Sequence, residues 1–249
     1  MSQYINKEYK GHIGVELEFL IVDENGKHVI IDKLLKNLEK EPLKGVFKPE
    51  AFTCAIEYNT PTCKNSQVAV EIIKKDMIVF HRILKEMKLK IKKGVYHEIP
   101  DGYENKETNV MCSRMWGNVF TSSLHIHIGL GDMNDGLKIY NCWVDNFDNF
   151  LTYYDEKYES KRLDKIVDIN NQLTGRSKPH KVVKSYEVPF RLFGYEDNSK
   201  QQVYPYRYYY FLFSKHGTLE NRVADCIGNF EKMYDYINYV YYLSKKNLN

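Results

Sequence analysis

Three short segments carry charged or imidazole side chains at every second position of what otherwise reads as buried strand: Gly14-Val15-Glu16-Leu17-Glu18-Phe19, Ser123-Leu124-His125-Ile126-His127-Ile128-Gly129 and Gly217-Thr218-Leu219-Glu220-Asn221-Arg222-Val223. In extended backbone, residues i and i+2 share a face and lie about 6.5–7 Å apart. Glu16 therefore points with Glu18, His125 with His127 and Glu220 with Arg222. Leu17, Phe19, Leu124, Ile126, Ile128, Leu219 and Val223 point the other way. A sheet that packs its apolar face on helices leaves the opposite face for a polar site that solvent can reach. The segments thus require strands with one apolar and one ionisable face, and an enzyme is the leading reading.

The remaining chain predicts how those strands are connected. Residues 12–22 read as a strand, with a turn at 23–27 whose Asn-Gly favours a hairpin into Val29-Ile30-Ile31. A short helix is expected over 32–40 and a strand over 52–59, stopped by Pro61. From an N-cap at Asn65 or Ser66, apolar residues recur every three or four positions from Ala69 to Met87, predicting a helix that ends at Gly94. Strands are expected at 95–99, 119–129 and 205–214, a polar loop at 100–118 and a basic loop at 173–180. Helices are expected at 137–156, 157–172 and 228–245. The 205–214 strand leads through Lys215-His216-Gly217 into the Glu220 strand, as a hairpin would. This order predicts an α+β fold with mainly antiparallel strands, not a Rossmann fold. Without repeats or a linker, residues 1–249 are expected to form a single domain.

Bulk properties narrow the partners. A net charge of +3, from 36 dispersed basic and 33 acidic residues, gives no reason to expect nucleic acid or a membrane surface. Five widely spaced cysteines without a CxxC pair argue for small buried thiols in a reducing compartment. The N-terminus has no apolar signal core and no apolar run approaches a membrane span, so a cytoplasmic location is expected. The 21 tyrosines are read as core and interface residues.

If Glu16, Glu18, Glu57 and Glu220 converge, like charges at about 5–7 Å repel by several kcal/mol. Such a cluster persists with cations or with raised pKa values. Oxygen-rich sites with an imidazole or two suit Mg²⁺ or Mn²⁺, and Mg²⁺ usually completes its shell with water and substrate phosphates, which points toward a nucleotide. Singly, each element has a plainer explanation: a solvated Glu-x-Glu edge, or a Glu220/Arg222 ion pair.

Together these motifs resemble the glutamate–cysteine ligase type 2, or carboxylate–amine ligase, family. The opening G-[IV]-E-x-E-[FM] strand is similar to Gly14–Phe19. The family's next acidic strand and long helix resemble Ala55–Pro61 and residues 65–93. Its H-[VI]-H-[VI]-G strand resembles His125–Gly129, and its late G-T-[VIL]-E-x-R-x-x-D strand resembles Gly217–Asp225. The resemblance implies a glutamine synthetase-like catalytic domain: a curved, mainly antiparallel sheet with helices on its convex face. ATP, Mg²⁺ or Mn²⁺ and a substrate carboxylate would sit on the concave face. It implies amide formation through an acyl phosphate, γ-glutamyl transfer being one possibility. Carried over by position, Glu16, Glu18, Glu57 and Glu220 are metal ligands, and His125 or His127 is a further ligand or nucleotide contact. Arg222 is a clamp on the transferred phosphoryl, with Glu57 also part of the catalytic set. Arg176 and Lys178 in the basic loop are candidate contacts to ATP phosphate or to the substrate carboxylate, and Arg114 and Arg207 are weaker candidates of the same kind.

The chain departs from the family in two respects: it is shorter than usual members, and Asn221 stands where an apolar residue is usual. The competing readings are a zinc hydrolase built on His125 and His127 and a nucleotide binder without catalysis. The expected partners are small-molecule carboxylates and amines. The tyrosine-rich C-terminal segment is expected to pack on its own sheet, with a homo-oligomer interface as the alternative.

Overall fold

A computed structural model describes residues 5–94, 96–103, 119–152, 211–214, 216–226 and 230–248. Its spine is β1 (Ile13–Asp23), which pairs antiparallel with three strands. These are β3 (Ala55–Asn59) along residues 16–20, β7 (Leu124–Gly129) along 13–17, and β4 (Leu89–Ile91) at residues 21–23. With β2 (Val46–Pro49), β8 (Phe211–Phe213) and β9 (Thr218–Asn221) they form a seven-stranded sheet in the order β2-β3-β1-β7-β9-β8, with β4 to one side of that path. Every pairing in it is antiparallel. A separate two-stranded ribbon joins β5 (Tyr96–Glu98) to β6 (Val119–Thr121). The architecture is α+β.

The alternation in β1 separates the two faces. Ile13, Val15, Leu17, Phe19 and Ile21 are buried in the main core, shared with α2 (Ser66–Glu86) and α5 (Phe230–Lys245). On α2 the buried stripe Ala69, Ile73, Met77, Phe80 and Leu84 follows the helical spacing, and the Phe80 and Phe19 rings meet at 5.6 Å. Each such fully buried side chain contributes roughly 1.5–3 kcal/mol. Asn65 caps α2 by accepting from the Val68 amide at 3.0 Å. On α5, Met233, Tyr236, Ile237, Val240 and Tyr241 are buried, so the tyrosine-rich helix packs inward. α3 (Met133–Asp145) joins α5 through Trp143, whose Nε1 donates to Ser244 Oγ at 3.0 Å; α4 (Phe147–Thr152) follows. Asp76 on α2 accepts from the Lys44 and Gly45 amides and from the Tyr58 hydroxyl, the last at 2.8 Å, tying the start of β2 to the helix layer.

Several expected boundaries move. The turn at 23–26 forms, but only a Val22–His28 bridge follows it, on the edge of β1 opposite β4, and the Ile31 amide then bonds the Thr53 carbonyl instead. The helix expected to reach Gly94 stops at Glu86, since Lys88 turns into the left-handed region (φ 55°) and sends Leu89–Ile91 back along β1. α1 covers Asp32–Leu38, β2 is an added strand, and residues 52–54 are turn and bridge, not continuous strand. The strand expected over 119–129 breaks at Ser122-Ser123, diverting β6 into the ribbon. α3 begins at Met133, not 137, because Asp132 caps it with a 2.8 Å bond from the Asp135 amide. Cys54, Cys63 and Cys226 are buried as expected, whereas Cys142 is half-buried; all four are free thiols. The segments expected at 157–172 and 173–180 lie outside the described residues. No described helix is long and apolar enough to cross a membrane.

Candidate metal centre

Residues directly opposed across antiparallel strands share a face, so the register assembles the site row by row. Lys48, Glu57 and Glu18 form one row, Asn59, Glu16 and His125 the next, and Gly14, His127 and Glu220 the third. All lie on the face opposite the α2–α5 core. The sheet thus gathers Glu16, Glu18, Glu57, His125, His127, Glu220 and Arg222, drawn from four separate stretches of chain.

The carboxylates fall into two adjacent groups. Glu16, His127 and Glu220 form one, and Glu18, Glu50 and Glu57 the other; within each, one donor atom per residue lies within 4.8 Å of the others. His125 stands between them, its Nδ1 at 3.3 Å from Glu16, 3.4 Å from Glu220 and 3.8 Å from Glu18. His127 instead offers Nε2, 3.3 Å from Glu16 and 3.9 Å from Glu220, while Thr218 Oγ1 holds its Nδ1 at 2.9 Å. Arg222 Nη1 donates to Glu220 Oε1. Lys48 Nζ pairs with Glu57 at 3.0 Å, and Asn59 Nδ2 donates to the same Glu57 oxygen at 2.8 Å. Neither group combines His125 with His127.

The two groups differ electrostatically. Burial works to raise the Glu16 carboxyl, but the adjacent His125 and His127 imidazoles overcome it and hold it well below the usual carboxylate range. Burial likewise opposes ionisation of Glu220, yet Arg222 and both imidazoles keep its pKa low. For His127, burial is outweighed by Glu16 and Glu220, and its pKa rises. In the second group the balance reverses. Burial, then the charge of Glu50, pushes Glu18 well above the carboxylate range; burial, then Glu57, raises Glu50, which is hydrogen-bonded to Glu18. A buried carboxylate trio of this kind holds a proton or a cation.

These donors fit divalent metal. An all-oxygen trio and an oxygen-plus-imidazole trio, their residues buried or half-buried, match the ligand chemistry of Mg²⁺ and Mn²⁺. Beside the first group a cavity of about 290 Å³ is lined by Tyr9, His12, Gly14, Glu16, His127 and Thr218 among others, leaving room for a small molecule against those ligands.

Glu50 is the site residue that the sequence reading missed. Lys48-Pro49-Glu50 carries the same period-two signal, but the proline disguises an edge strand, where proline is tolerated. Asn221, polar where an apolar residue was expected, is fully buried; its Oδ1 accepts from the Tyr236 hydroxyl at 3.0 Å and the Val223 amide at 3.2 Å. That bond joins β9 to α5 directly behind Glu220 and Arg222. Arg176, Lys178, Arg114 and Arg207 lie outside the described residues.

No protein-family model matches the sequence, and no curated protein does. Among solved structures, the chain is similar to a bifunctional glutathione synthetase from Pasteurella multocida, with a TM-score of 0.49 and 12% identity over 95% of this chain and 38% of that one. It is also similar to a structure of the complex between the prokaryotic ubiquitin-like protein Pup and its ligase PafA, with a TM-score of 0.44 and 12% identity over 97% of this chain and 48% of that one. The chain spans less than half the length of either.

Proposed function

We propose that residues 1–249 form a single glutamine synthetase-like domain that joins a carboxylate to an amine at the expense of ATP, using divalent metal. The observation that carries this reading is the side-by-side placement of two carboxylate groups, one holding His127, on a single sheet face with Arg222 at their edge. Glu16, His127 and Glu220 would hold one cation and Glu18, Glu50 and Glu57 the other. Bound there, the ions supply positive charge to the phosphate oxygens of ATP. Phosphoryl transfer asks little covalent chemistry of the protein, only positioning and charge.

In the proposed reaction a substrate carboxylate oxygen attacks the γ-phosphorus, the bond to the β-bridging oxygen breaks, and ADP leaves. The amine nitrogen then forms the C–N bond, the acyl–oxygen bond breaks, phosphate leaves, and the nitrogen gives up its proton. Arg222 turns from Glu220 to the transferred phosphoryl as charge develops on its oxygens. His125, bonded through Nδ1 to Glu16, stands between the two carboxylate groups and orients Glu16. Arg176 and Lys178 are assigned to phosphate or to the substrate carboxylate, and a γ-glutamyl substrate is one candidate. A zinc hydrolase centred on both histidines is less well supported, because among the described residues the two rings join no common ligand group.

A screen for phosphate release over carboxylate and amine pairs, with mass detection of the condensed product, tests this. ADP and phosphate should appear only with both substrates and Mg²⁺ or Mn²⁺. Glu16→Gln and Arg222→Ala should each lower kcat by about 100-fold or more with the fold intact. Undiminished turnover in both variants would reject the site.

A further inference from the structure

The two histidines of β7 lie among the same carboxylates yet present opposite nitrogens, Nδ1 from His125 and Nε2 from His127. The carboxylates alone therefore do not set ring orientation. What distinguishes His127 is Thr218, its diagonal neighbour across the β7–β9 pairing, whose Oγ1 lies 2.9 Å from Nδ1. We infer that Thr218 is a positioning residue that fixes which nitrogen of His127 faces Glu16 and Glu220, through a hydroxyl able to serve Nδ1 as either donor or acceptor. The inference rests on the cation-site reading of Glu16, His127 and Glu220.

A neutral imidazole carries one proton, so its two nitrogens always need unlike partners. Without a cation, Nε2 is left with no hydrogen-bond partner although Glu16 lies 3.3 Å away, while the Thr218 hydroxyl meets Nδ1 in either role. Were a cation held by Glu16, His127 and Glu220, the one proton of the neutral ring would sit on Nδ1 and the Thr218 hydroxyl would accept it. Nε2 would then offer its lone pair. The methyl of valine could do neither, and a flipped ring would set a carbon against the hydroxyl. Gly129 lies directly opposite Thr218 across β7, so no side chain there competes for the hydroxyl. Such outer hydrogen bonds typically decide imidazole tautomer and ligand basicity at metal sites.

Mn²⁺ binding to the full chain, measured by electron paramagnetic resonance in wild type, Thr218→Ser and Thr218→Val, tests the inference. Serine should keep wild-type affinity, and valine should weaken the imidazole-containing site by about 10–100-fold. Should Thr218→Val not fold, the wild-type chain with ¹⁵N-labelled histidine decides: with Zn²⁺ bound, the His127 proton should sit on Nδ1. Uptake undiminished in Thr218→Val, uptake equally weak in Thr218→Ser, or a proton found on Nε2 with Zn²⁺ bound would each overturn the role of Thr218 alone. A wild-type chain that takes up no Mn²⁺ would overturn the ligase reading with it.

Discussion

At the scale of single residues, Glu18 shows what it costs to keep such a site assembled. It is 7% exposed, beside Glu50 and opposite Glu57, so without a cation its charged form is disfavoured by burial and by its neighbours. Glu18→Gln keeps the shape and removes the charge. We expect the metal-free variant to be more stable than wild type by on the order of 1 kcal/mol in urea denaturation, while ligase turnover is lost. A metal-free variant less stable than wild type would show that the trio is not strained by its own charge. Most of the site was legible because a strand has period two: Glu16 with Glu18, His125 with His127 and Glu220 with Arg222 need no tertiary information to share a face. What joins one pair to another does need it. Glu50 enters through an edge strand whose proline conceals it, and the partner of His127 Nδ1 is a threonine 91 positions away in sequence. Asn221 stands out locally as a polar residue in an apolar position, yet its partner Tyr236 lies on a helix whose angle over β9 no local pattern encodes.

Elements repeat this division. Helices α2 and α5 and the spine strand follow from hydrophobic period, whereas their ends follow from contacts: α2 stops short because β4 finds its partner in β1. The β5–β6 ribbon covers a satellite core of Leu20, Phe52, Cys54, Ala55, Ile99 and Phe120 at one end of the sheet. His97 in that ribbon stacks on Phe120, with ring centroids 6.4 Å apart, and its Nε2 meets the Gly94 carbonyl at 3.0 Å. Burial first, and Lys92 second, bring its pKa down to about 4, with His28 acting in the same direction and the Gly94 bond opposing. The folded chain then binds fewer protons than the unfolded one between about pH 4 and 6.5, the unfolded histidine value. The stability His97 contributes is therefore complete above that window and lost as pH falls through it. We expect a loss on the order of 1–2 kcal/mol across the window, smaller in His97→Gln, as read by urea denaturation at fixed ionic strength. Parallel pH profiles for the two chains would contradict the assignment.

For the whole molecule, what matters is that one antiparallel sheet presents two carboxylate groups of different donor chemistry side by side, the two cation sites of the proposed function. Helices on the other face carry the apolar burial, so stability does not require the site face to be apolar, and it can remain charged. With cations at those groups, the imidazole of His127 would favour Mn²⁺ and Zn²⁺ over Mg²⁺, while the all-oxygen trio would accept Mg²⁺ on nearly equal terms. Loading should therefore be ordered. Titrated with Mn²⁺ in excess Mg²⁺, the chain should take its first Mn²⁺ at Glu16, His127 and Glu220. His127→Ala should abolish that step, and Glu57→Gln should leave it and weaken the other. Each occupied site also favours the folded chain by mass action, about 2.7 kcal/mol at a free cation concentration a hundredfold above Kd. Thermal denaturation should thus rise in two resolvable stages, each removed by substitution in its own group. A single stage, weakened equally by His127→Ala and Glu57→Gln, would mean that the two groups act as one centre.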